Sequence, residues 1–169
     1  MLERLWNEGS WIVLGFYFFL FLLSLAKGAA PERICAGILL IIPFIDQLHH
    51  QALGGSIIYR EVDLGHMLID VLVFCSLLTV ALHANRVYPL WLGAAQIIAV
   101  ITHFYRMSLP DIDQFAYQEM QVMSAYIQIA AITLGLWCHV ARRKRHGSYP
   151  SWRRTAAAEP AAGWDMPAS

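Results

Sequence analysis

Asp46, His49 and His50 stand at i, i+3 and i+4, a spacing that sets all three on one face of a helix. His66 and Asp70 repeat the i, i+4 relation, and His103 follows Gln96 by seven residues, on nearly the same helical face. Two imidazoles and a carboxylate brought together can hold a divalent transition metal such as zinc, copper, iron or nickel. Carboxylates in such a site bind the ion directly or orient the histidines. The same groups can pass protons, with Asp46 and Asp70 as carriers and the histidines tuning them. They can also do no chemistry and simply hydrogen-bond neighbouring helices to one another. Patterns as short as D-x-x-H-H and H-x-x-x-D arise easily by chance, so the spacing alone does not choose.

The surroundings of these residues are what make them notable. Apolar residues form 58% of the 169 and charged residues only 14%, against roughly 25% charged in soluble domains. Mean hydropathy is +0.50. A bilayer crossing needs about 20 mostly apolar residues, and five stretches qualify, at about 5–26, 31–50, 63–84, 88–106 and 117–143. Pro31 and Pro89 suit helix starts, where the missing N–H is no loss. The expected fold is therefore all-α, a polytopic transmembrane bundle over residues 1–146. The Ser-, Pro- and Ala-rich segment 147–169 is expected to be a disordered tail. Met1, Leu2, Glu3 and Arg4 lack the net positive charge of a signal peptide, so the first apolar run is read as a retained helix.

Basic residues set the orientation. Five spans put Lys27, Arg33, Arg86, Arg142, Arg143, Lys144, Arg145, Arg153 and Arg154 on one side, and only Arg4, Arg60 and Arg106 on the other. The N-terminus is then outside and the tail cytoplasmic, in a plasma membrane of prokaryotic inner-membrane type. A four-span alternative splits Lys27 and Arg33 from the C-terminal basic run and ranks second.

That orientation gathers the polar residues. The second and fourth helices finish at the outer side and the third begins there. His49, His50, His66 and His103 thus share a level, with Asp46 and Asp70 one turn deeper, roughly 6 Å. The fifth helix brings Glu119, Gln121 and Gln128 past the same region, whereas the first offers almost nothing polar and is expected at a lipid-facing position.

The favoured expectation is a structural or accessory membrane component with a buried His/Asp cluster near the outer leaflet. One alternative is a metal- or haem-binding redox protein using that cluster. Its ligands would come from Asp46, His49, His50, His66, Asp70 and His103, with a haem between His66 and His103 or His49. His83 and His139 would hold a second haem. Another alternative is a proton-coupled carrier or channel. No H-E-x-x-H, phosphate-binding glycine loop or nucleophile–base pattern points to an enzyme.

Arg142, Arg143, Lys144 and Arg145 are expected to touch anionic lipid. Gly93, Ala94, Ala95 and Ala99 offer a close-packing surface, within the chain or in a homo-oligomer or larger complex. Tyr149 to Trp152 would be a docking segment for a partner. Nothing suggests nucleic acid. Cys35, Cys75 and Cys138 are far apart and read as apolar filler, not disulfides.

Overall fold

The computed structural model describes residues 2–53, 64–108 and 114–153, with side chains described at 11–45, 48, 64–108 and 119–153. The described residues form five helices and no strand: α1 (Leu2–Lys27), α2 (Ala30–Leu53), α3 (Leu64–His83), α4 (Tyr88–Ser108) and α5 (Gln114–His146). Each helix packs on the next in sequence, and α5 returns against α1 and α2 to close the bundle.

Local chemistry explains the ends. Ala29 precedes α2, and the Glu32 carboxylate reaches back to its N–H at 3.0 Å, the acidic half of a capping box. Arg33 N–H then donates to the Ala29 carbonyl, the first bond of the helix. α5 stops at Gly147, whose φ of +72° is the left-handed conformation glycine adopts without strain. Its N–H caps the Arg143 carbonyl at 3.0 Å.

The interior is narrow. Tyr17 and Leu20 of α1 meet Cys35 and Leu39 of α2, Val73 and Leu77 of α3, Leu92 of α4 and Ile132 of α5. Gln96, Thr102, His103, Ser124 and Gln128 are buried among them. The outside is the reverse: Phe18 and Phe19, Ile41 and Phe44, Leu68 and Leu72, Ile97 and Ile101, and Leu134 and Trp137 are all exposed, some on every helix. Contiguous apolar surface on this scale needs a cover other than water. Among the described residues two helical stretches are long and apolar enough to cross a membrane: Leu64–His83, with mean hydropathy 2.0, and Glu119–His146, with 1.4. The apolar part of α1, Trp11–Lys27, is shorter.

Two expectations change here. Tyr17 is 5% exposed and belongs to the core, so α1 is not a polar-free peripheral helix. The segment expected to be a disordered tail is described as far as Arg153, and that part is packed. Asn85 N–H donates to the Ser151 carbonyl at 3.1 Å, and Arg153 N–H to the His83 carbonyl at 2.8 Å. Within it, Trp152 bridges Ala84 at the α3–α4 turn.

Gly135 sits where α5 meets α4. A β-carbon there would fall inside the contact distance of the Tyr88 ring. Gly135→Ala should therefore cost about 1–3 kcal/mol through overpacking. Unfolding midpoints in detergent check this, and Tyr88→Leu in the same chain should recover most of the loss.

Candidate functional site

Polar residues of three helices assemble around Asp70. It lies nearly two turns into α3, is 6% exposed, and faces α4. Its Oδ2 is 2.8 Å from His103 Nε2 near the end of α4. Its Oδ1 accepts from Gln96 Nε2 at 2.9 Å, and the same amide reaches the Asp70 carbonyl at 3.3 Å. Gln96 and His103 meet one carboxylate because two helical turns separate them, as their spacing implied.

The contacts continue inward. Gln128 Nε2 of α5 donates to Gln96 Oε1 at 2.6 Å, and Tyr17 of α1 donates its hydroxyl to Gln128 Oε1 at 2.9 Å. Every donor in the run from Tyr17 through Gln128 and Gln96 points toward the Asp70 carboxylate. Such aligned bonds polarise and strengthen one another in a low-dielectric interior. At the other end of the run the Gln121 amide lies 3.1 Å from His103 Nε2. Nearby, Ser124 donates to the Ala95 carbonyl at 2.7 Å. Four helices are thereby tied through buried polar atoms.

His66 completes a second pattern. Its ring centroid is 5.5 Å from that of His103, tilted by 58°. His66, Asp70 and His103 each offer a ligand atom within 4.8 Å of the other two. Zinc-type ions take imidazole nitrogen and carboxylate oxygen at about 2.0–2.2 Å, so side-chain adjustment alone would let these three share an ion. Gln96 on the far oxygen of Asp70 would orient it in such a site.

Of the six ligand candidates the structure brings together His66, Asp70 and His103. The side chains of Asp46, His49 and His50 lie outside the described residues. Gln121 and Gln128 of α5 join the network, while Glu119 is exposed. His103 Nε2, a nitrogen that a haem iron held by His66 and His103 could take, is the one in contact with Asp70 Oδ2. His83 Nδ1 lies 2.8 Å from the Thr79 carbonyl of its own helix.

At the opposite end lies a cluster that the spacing analysis did not find. Glu32 is fully buried and pairs with Arg86 of the α3–α4 turn at 3.1 Å, Arg86 itself being 6% exposed. Arg86 also approaches His139 Nδ1 at 3.4 Å, and Tyr149 Oη is 2.8 Å from the same nitrogen. The Arg86 guanidinium lies 4.5 Å over the Tyr149 ring, within cation–π range. Val73, Leu77 and Val80, all buried, occupy α3 between the two clusters. In the sequence Arg86 counts only toward the charge asymmetry, and Glu32 belongs to no spaced pattern. The available signal was a lone acid beside Pro31 at the head of an apolar run.

Comparison with protein-family models, with curated proteins and with solved structures finds no match to this chain.

Proposed function

We propose that the chain is a five-span plasma-membrane protein, N-terminus outside and basic end in the cytoplasm, serving as a structural or accessory membrane component. Its buried polar network clamps the helices against one another. The observation that carries this reading is the continuous run of hydrogen bonds from Tyr17 through Gln128 and Gln96 to Asp70 and His103. Lipid offers no hydrophobic drive for helix association, so packing and interhelical hydrogen bonds must supply it. An apolar exterior around a polar interior supports the membrane setting. So does the gathering of Lys27, Arg86 and the end of α5 at one end of the bundle, which the positive-inside rule places in the cytoplasm.

Topology is tested by single-cysteine labelling after Cys35, Cys75 and Cys138 are replaced by alanine. A cysteine at Ser56 should react with an impermeant maleimide in intact cells, and one at Ser148 only after the membrane is opened. Reaction of both from the same side excludes five spans.

A second reading rests on the three-ligand set: a divalent transition-metal site at His66, Asp70 and His103. Titration with cobalt(II) should then give ligand-field absorption bands saturating at one ion per chain. His66→Ala should abolish the bands, since the His103–Asp70 contact that remains supplies too few ligands.

A further inference from the structure

A cleft of about 630 Å³ opens between the start of α4 and the end of α5, beneath the returning segment that carries Tyr149 and Arg153. The volume is that of a site for a single small ligand. Its walls are apolar, from Trp91 on α4 and Leu134 on α5. Both residues are exposed, at 63% and 64%, so the cleft opens sideways onto the apolar flank of the bundle. One end is different. There Arg142 and Arg153 face the cleft, both exposed.

Charge at that end is unbalanced. Glu32 is taken by Arg86, and among the described residues no carboxylate pairs with Arg142 or Arg153. The Arg142 guanidinium stands 5.3 Å over the Tyr149 ring, on which Arg86 also lies, and Arg153 Nε donates to the Ala84 carbonyl at 3.2 Å. Both cations are therefore positioned and keep donors to spare. Guanidinium groups favour phosphate oxygens, which they can meet with two parallel hydrogen bonds. A cationic end on an apolar, sideways-opening cleft matches an amphiphile with an anionic head.

We propose that this cleft binds one anionic phospholipid, its phosphate between Arg142 and Arg153 and one acyl chain along the α4–α5 groove past Trp91 and Leu134. The assignment rests on the five-span reading, which brings this end to the cytoplasmic headgroup level. It differs from general attraction to the basic run, because Arg143 and Arg145 do not line the cleft and Lys144 lines a different groove with Lys27 and Trp137.

Native mass spectrometry of the full chain, released from detergent micelles containing dioleoyl phosphatidylglycerol or dioleoyl phosphatidylcholine, tests this. One phosphatidylglycerol should be retained in preference to phosphatidylcholine. Removing both contacts in Arg142→Ala/Arg153→Ala should weaken retention about 30-fold, whereas Arg143→Ala/Arg145→Ala should leave it unchanged. Leu134→Trp, which fills the groove and keeps every charge, should also weaken it. Glycerol 1-phosphate, a head without a tail, should not compete.

Equal retention of the two lipids, equal loss in both arginine pairs, or full competition by glycerol 1-phosphate overturns the assignment. Cysteine labelling reports the topology separately. A chain that spans five times and still shows no lipid preference loses the site and keeps the fold reading.

Discussion

Asp70→Ala should destabilise the purified chain by about 2–4 kcal/mol, read as a lowered unfolding midpoint in mixed detergent micelles. The carboxylate serves two buried partners at once, Gln96 and His103. Its removal leaves both side chains short of a partner in a site closed to water, at about 1–3 kcal/mol for each buried group left unsatisfied. A single interhelical hydrogen bond within a membrane contributes only about 0.6 kcal/mol on average. The larger figure is expected here because the partners lie at the centre of a run and have no solvent to turn to. Asp70→Asn separates hydrogen bonding from charge. Its oxygen can still accept from Gln96 and its amide can donate to His103 Nε2, so it should keep most of the stability. Equal losses for the two variants would mean that the hydrogen-bond run is not what Asp70 supplies.

Glu32→Ala is expected to cost about 3–5 kcal/mol, for a different reason. It strands the Arg86 guanidinium, which is only 6% exposed, and breaking a buried ion pair from one side leaves an uncompensated charge. It also removes the carboxylate that caps Ala29 N–H. Glu32→Ala/Arg86→Ala should lose less than the sum of the two single changes, since the stranded charge is gone. The same micelle unfolding series measures both. Additive losses would show that the pair is not coupled and that Arg86 is held by its contacts with Asn85, Tyr149 and His139.

Much of this architecture was legible because lipid-scale hydrophobicity is a coarse signal. The five helices fall within a few residues of the five apolar runs, with Pro31 and Pro89 near their starts as expected. Helical spacing also carried part of the site. His66 with Asp70, and Gln96 with His103, share faces by arithmetic, and those faces do converge. The rotation of a whole helix is what spacing cannot supply. Tyr17 lies in an aromatic run with Phe16, Phe18 and Phe19, any of which could have faced inward, and only the packing of α1 on α5 turns its hydroxyl to Gln128.

The Glu32–Arg86 cluster was hidden for a related reason. Arg86 counts toward topology whichever way it points, and its pairing with Glu32 joins residues 54 positions apart. Tyr149 lies in a segment whose composition argues for disorder. Its ring is nevertheless in contact with two guanidiniums, those of Arg86 and Arg142.

The metal content of the full chain is the most direct test of the claim that the Asp70 network exists to hold the helices. The protein would be extracted from membranes in mild detergent without chelator, analysed for transition metals, and melted with and without EDTA beside Asp70→Asn. A clamp predicts no stoichiometric ion in either protein and a midpoint that EDTA does not move. One ion per chain, lost in Asp70→Asn and accompanied by an EDTA-sensitive midpoint, would contradict it and make His66, Asp70 and His103 a metal centre.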